Sequence, residues 1–193
     1  LIVRDGKLTG LKIAAPGGKI YEQPTDRLIL AVGHSARDTF EMLHKNGVYI
    51  EQKPFSVGVR IEHVQKSVDA AQYGRFAGHP ALGAADYKLA AHFDNGRSAY
   101  TFCMCPGGMV VAAASEPGRV VTNGMSEFAR DGKNANAALL VGVEPRDFGS
   151  AHPLAGMYFQ RRLEEAAFRA GGGDYRAPAQ LVGDFLKKQV STA

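Results

Sequence analysis

Between Ser56 and Glu144 the chain is cut into short extended runs by turn-forming residues. The runs are Ser56–His63, Tyr87–Phe93, Ser98–Cys105, Met109–Ser115, Arg119–Asn123 and Ala137–Glu144. Asn95-Gly96 and Pro117-Gly118 fall where hairpin turns belong, because both pairs supply the backbone angles a tight reversal needs. This spacing predicts an antiparallel sheet. A short helix over Val64–Ala71 follows the first run, and His79-Pro80 to Ala85 reads as a loop.

The flanks differ. At the start, Leu11–Ala15 and Lys19–Tyr21 are extended runs split by Pro16-Gly17-Gly18, and Asp5-Gly6 marks an earlier turn, so a β-meander is expected. Leu28-Ile29-Leu30-Ala31-Val32 is continuously apolar and ends at Gly33, the pattern of a strand buried on both faces. Ser35 with Asp38 three residues on resembles a capping box for a helix from about Ala36 to Lys45, with Phe40 and Leu43 on one face and Asn46-Gly47 as its stop. At the other end, apolar residues from Leu154 to Phe168 recur at helical spacing. Arg161, Arg162, Glu164 and Glu165 are placed on the opposite side, and Gly171-Gly172-Gly173 ends the helix. A shorter helix is expected near Leu181. The fold class is therefore α+β, an antiparallel or mixed sheet with flanking helices. A strand-and-helix piece (1–54) precedes an α+β piece (55–145), and a helical piece closes the chain.

Bulk properties narrow the function. The 193 residues carry a net charge of +4 with no basic run interleaved with aromatics, which argues against nucleic acid as a partner. The apolar run Met109–Ala114 is too short to span a bilayer, and the first residues lack the pattern of a signal peptide. Two cysteines and no export signal point to a reducing, cytoplasmic setting. The opening on Leu-Ile-Val, in mid-strand, suggests a piece of a longer protein.

Several stretches could carry chemistry. Gly33, before a helix start with free N–H groups, suits anion or ligand approach, or is a turn glycine. In a regular strand Thr101, Cys103 and Cys105 share one face, with Tyr100, Phe102 and Met104 on the other as core. The two thiols then lie with Cα atoms roughly 6.5–7 Å apart and parallel side chains, unsuited to a disulfide. No second Cys pair or spaced His pair completes a zinc site. Small apolar filler and thiols lining a cavity both remain open. Gly107-Gly108 after Pro106 is a turn in which backbone can approach a ligand, or simply a turn. Thr122–Asn136 reads as a long structured loop, functional or merely superficial. Arg60 and Glu62 share one strand face, read as solvated, with a cavity wall as the alternative. No GxGxxG, Walker loop or Gly-x-Ser-x-Gly elbow occurs.

LILAVGHSARDTFEML, KPFSVGVRIEH, HPALGAADYKL, YTFCMCPGGMVVAAASEPGRVVTNGMS, ARDGKNANAALLV and APAQLVGDFL together resemble the bacterial FAD-dependent, or NAD(FAD)-utilising, dehydrogenases. The resemblance covers nearly the whole chain and is most specific at GHSARDTFEML and FCMCPGG. It implies a Rossmann-type flavoprotein whose FAD domain is interrupted by an inserted substrate domain. On that basis residues 1–54 belong to the FAD-binding domain, 55–180 to the inserted domain, and 181–193 lead back toward the FAD domain. Both the upstream glycine fingerprint and a downstream FAD-contacting segment are missing from this chain. The resemblance implies Gly33, His34, Ser35, Gly107 and Gly108 near FAD, and Cys103 and Cys105 as thiols beside the flavin.

In such a protein the flavin carries the redox chemistry, and NAD(P) can act as electron donor or acceptor. Arg60, Glu62, Asn123, Ser126 and Arg130 are the candidates for the side facing a small-molecule substrate. The remainder of the FAD domain is the expected partner, and the isolated chain is expected to be inactive. Two rival readings are a non-enzymatic module binding RNA or protein, and a metal or redox protein built on Cys103 and Cys105.

Overall fold

The computed structural model describes residues 1–192, which divide into two compact units, Leu1–Ile50 and the chain from Glu51 onward. The first holds β1 (Ile2–Arg4), β2 (Lys7–Ala14) and β3 (Ile20–Pro24), paired antiparallel in the order β1-β2-β3. The expected meander is present. Arg4 pairs with Lys7 around Asp5 and Gly6, whose φ of 50° and 73° are those of a tight turn matched to strand twist. The helix follows as α1 (Arg37–Lys45), with Leu43 and the Arg37 side chain buried. Its N-cap is Ala36, with no side-chain cap, so the Ser35–Asp38 capping box does not form. The Asp38 carboxylate accepts the Thr39 N–H, and the Ser35 hydroxyl meets His34 Nδ1 at 3.3 Å.

Leu28–Val32 overturns its expectation. It pairs with no described strand, and Ile29 is 92% exposed. A parallel strand takes all its ladder hydrogen bonds from neighbours, and β1–β3 pair only among themselves. The apolar run therefore lies open.

The second unit is built on β4 (Phe55–Val64), β5 (Ala90–His92), β6 (Ser98–Cys105) and β9 (Asn134–Val143), an antiparallel sheet in the order β4-β9-β6-β5. A separate hairpin pairs β7 (Gly108–Ala113) with β8 (Val121–Ser126). The α+β class is thus observed. Asn95-Gly96 and Pro117-Gly118 fall in the two hairpin connections, as expected. Three spans differ. Tyr87–Phe93 shortens to β5, because Tyr87 packs against Val68 and Ala85 instead of extending the ladder. Arg119–Asn123 moves downstream to β8, and Val120 is buried beside the helix that follows the sheet. The expected loop Thr122–Asn136 shrinks to residues 127–133, because its polar ends are taken up as strands and hydrogen-bonded across the sheet.

Pairing of Phe55 with Val143 and of His63 with Ala135 puts Phe55, Val57, Ile61 and His63 on one face of the sheet. α3 (Ala155–Ala170) covers one end of that face through Ala155 and Phe159, beside the stacked rings of Phe55 and Phe148. α2 (Gln65–Tyr73) covers the other end through Val68 on Ala135. The charged side of α3 is not the outward face expected of it. Glu164 is buried, while Leu163 is 46% exposed. The β7–β8 connection supplies the reason, since Glu116 pairs with Arg161 at 2.7 Å and Arg119 with Glu165 at 2.6 Å. Charges that would have met water meet opposite charges instead. α4 (Val182–Lys187) follows, with Phe185 and Leu186 exposed. No helix among the described residues is long and apolar enough to cross a membrane.

Candidate functional site

The two cysteines sit on a β-bulge. Phe102 pairs with Ala138 and Cys105 with Asn136, so Cys103 and Met104 together oppose Ala137 alone. Cys103 has φ 45°, a left-handed backbone that a side-chain-bearing residue adopts at a cost of about 1–2 kcal/mol. The extra residue reverses the alternation of the strand. Thr101 pairs with Leu139 and Cys105 with Asn136, positions on opposite faces of β9. The shared face expected for Thr101, Cys103 and Cys105 is therefore broken. Met104 joins the Val68–Ala135 core while Phe102 is 57% exposed, so the expected Tyr100–Phe102–Met104 core face is broken too. Cys103 is exposed, and the half-buried Cys105 thiol lies 3.5 Å from the Cys103 carbonyl. Both thiols are free.

Arg60 holds the bulge. Its Nη2 donates to the Cys103 carbonyl at 2.6 Å, and its Nη1 donates to Asn136 Oδ1 at 3.0 Å. Asn136 has no exposed surface, and its Nδ2 has no acceptor among the described residues. Gly124 of the hairpin crosses directly above. A Cβ there would stand 2.1 Å from Arg60 Nη1 and 2.3 Å from Asn136 Oδ1. Glu62 fastens the same hairpin: one carboxylate oxygen accepts the Val110 N–H and the other accepts Asn134 Nδ2, both at 2.7 Å. The Arg60–Glu62 face is thus the seat of the β7–β8 hairpin, with Arg60 half-buried under it and Glu62 still exposed as expected of a solvated face.

Gly107 and Gly108 are enclosed by their own chain. The Gly107 N–H is donated to Gln65 Oε1 at 2.8 Å, and a Cβ on Gly107 would meet the Arg130 carbonyl at 2.0 Å. A Cβ on Gly108 would stand 2.2 Å from the Met125 carbonyl, and the Ser126 hydroxyl donates to the Pro106 carbonyl at 2.8 Å. Asn123 and Arg130 are exposed. Asn123 Oδ1 accepts the Gly124 N–H, and Arg130 turns the chain with φ 53°. Gly33, His34 and Ser35 lie exposed in the first unit, where Gly33 has φ 73° and open space around its Cα.

The fold therefore brings Arg60, Glu62, Cys103, Cys105, Gly107, Gly108 and Ser126 around one hairpin. Asn136, Gly124 and Gln65 complete this arrangement and were not among the sequence candidates. One signal was present: Asn134 and Asn136 alternate at strand spacing at the head of an apolar run, as Arg60 and Glu62 do. On the opposite face His63 rests on Tyr87, ring centroids 5.5 Å apart. Burial pushes the His63 imidazole below its ordinary value, against the nearby Glu62 carboxylate, and pushes the Tyr87 phenol up. Among the described residues no three His, Cys, Asp or Glu side chains gather as metal ligands would.

Residues 54–193 match the family described as FAD-dependent protein, C-terminal domain-like. An "Uncharacterized protein" of Clostridium beijerinckii (strain ATCC 51743 / NCIMB 8052) is 53% identical over 190 residues, which cover 98% of this chain and 35% of that relative. The chain thus spans about a third of that relative's length. With most of its length matched, the chain belongs to the FAD-dependent protein C-terminal domain-like family.

Proposed function

We propose that this chain is the substrate-side portion of a flavin-dependent oxidoreductase, a dehydrogenase whose FAD is held largely by residues beyond it. The observation that carries this reading is the family match over 54–193. The first unit supports it. Leu28–Val32 is an apolar run with no strand partner among the described residues, suited to a sheet completed by the remainder of an FAD domain. Gly33 fits close approach of a dinucleotide, since its φ of 73° bars most side chains and nothing occupies the space beside it. His34 and Ser35 follow at the start of α1, whose N-cap Ala36 has no capping side chain.

When bound, FAD supplies hydride or electron transfer, with NAD(P) as the proposed exchange partner. The chain's own residues hold and orient. Arg60 and Asn136 fix the Cys103 bulge and present its thiol to solvent. A thiol there takes part in electron exchange only as thiolate. Of the substrate-side candidates, Arg60, Glu62 and Ser126 already serve the hairpin, which leaves Asn123 and Arg130 to meet a substrate.

The test is a visible spectrum of the purified chain after FAD addition and desalting, beside that of the full-length protein. A colourless chain and a yellow full-length protein bleached by NADH or NADPH are expected. A full-length protein that retains no flavin refutes the reading. Within that protein, Cys103→Ser with unchanged flavin reduction kinetics would remove the thiol from the mechanism.

A further inference from the structure

A cavity of about 310 Å³ opens at the end of the main sheet where β4 and β6 begin and β9 ends. It shares no residue with the Cys103 bulge. One wall is apolar, formed by Pro54, Phe55 and Val143. On the opposite side of the pleat Tyr100 OH donates to Ser56 Oγ at 2.7 Å. That bond uses one lone pair of Ser56 and leaves its hydroxyl proton to be donated to a ligand.

The charges divide into a closed pair and an open one. Arg97 grips Asp147 through both Nη atoms, at 2.7 and 3.1 Å, and also donates to the Gly142 carbonyl. This pair neutralises itself and fixes Arg97 in place as part of the wall. Glu144 caps the short turn Pro145–Asp147 and forms an ion pair with Arg146 Nε at 3.0 Å. The two Nη groups of Arg146 have no hydrogen-bond partner among the described residues, and its side chain is 71% exposed. A planar guanidinium edge with two parallel N–H groups matches a carboxylate in geometry and charge.

We propose that this cavity binds a small organic carboxylate, its acid group on Arg146 and its apolar body against Phe55 and Val143. The charge count favours a monoanion over a dianion. Arg97 with Asp147 and Arg146 with Glu144 sum to zero, so a carboxylate sets one negative charge beside Glu144 where a phosphate dianion sets two. The apolar wall favours an aromatic or branched body over a purely polar one. This inference is independent of the flavin reading.

The test is a ¹H–¹⁵N titration of the 193-residue chain with benzoate, with benzamide as the uncharged match and inorganic phosphate as competitor. Saturable shifts at Phe55, Ser56 and Arg146 are expected with benzoate and not with benzamide. Arg146→Gln, a change at an exposed position that leaves the fold intact, should weaken benzoate binding about tenfold. Phosphate should not displace it. Three results each overturn the proposal: no saturation below about 10 mM, unchanged affinity in Arg146→Gln, or displacement by phosphate at equal concentration.

Discussion

Gly124→Ala is a single-methyl change with a large expected cost. Alanine adds strand-forming bias over glycine, a gain of roughly 0.5–1 kcal/mol. Against this, the new Cβ would stand 2.1 Å from Arg60 Nη1 and 2.3 Å from Asn136 Oδ1, well inside contact distance. Asn136 is fully buried between strands and cannot withdraw. The guanidinium must move, which breaks its bonds to Asn136 and to the Cys103 carbonyl. Hydrogen bonds to a charged group are worth about 1.5–3 kcal/mol each. Arg60 is only partly buried, so the lower end applies, and two such bonds less the propensity gain leave a net loss of about 2 kcal/mol. Urea unfolding followed by tyrosine fluorescence should show the main transition move down by roughly 1 M. In an Arg60→Met background the same change should cost at least about 1 kcal/mol less, because the displaced partner is already gone. A Gly124→Ala loss below about 0.5 kcal/mol, or full additivity with Arg60→Met, would refute the clamp as described.

Other outcomes follow from the same geometry. Cys103→Gly should leave stability unchanged or raise it by up to about 1 kcal/mol, because glycine adopts φ 45° without strain; Cys103→Val should lower it, and equal midpoints for the two in urea would contradict the bulge. The hydrogen bond and charge of Arg97 hold the Asp147 carboxyl at about 2, below its ordinary 3.8. A depressed acid stabilises the fold above the ordinary value and loses that contribution as pH falls through the folded one. Thermal melts should therefore show wild type losing an advantage over Asp147→Asn between pH 4 and 2. Burial lowers the His63 value below that of the unfolded chain, so the unfolded chain takes up its proton first as pH drops. Stability should decline as pH falls below 6.5, the ordinary value, and His63→Gln should flatten that slope.

What was legible in the sequence was local. Asp5-Gly6 and Asn95-Gly96 set backbone angles that almost any context tolerates, so their turns appear where they were expected. Ser98–Cys105 has the predicted bounds, and α3 differs from its prediction by one residue, because strand and helix periodicities repeat within each element. Even the clustering of Arg60 and Glu62 on one face follows from alternation.

Tertiary structure decided the rest, wherever a residue's role depends on what lies across from it. Cys105 changed faces because β6 gained a residue against β9, a matter of register between segments some 30 residues apart. The charged side of α3 turned inward because Glu116 and Arg119 arrived from the hairpin to meet Arg161 and Glu165. Leu28–Val32 has the composition of a buried strand, yet burial is a property of two surfaces and the described residues supply only one. Periodicity within a segment is written in its residues; the partner that completes a face, a clamp or a ladder comes from distant parts of the chain.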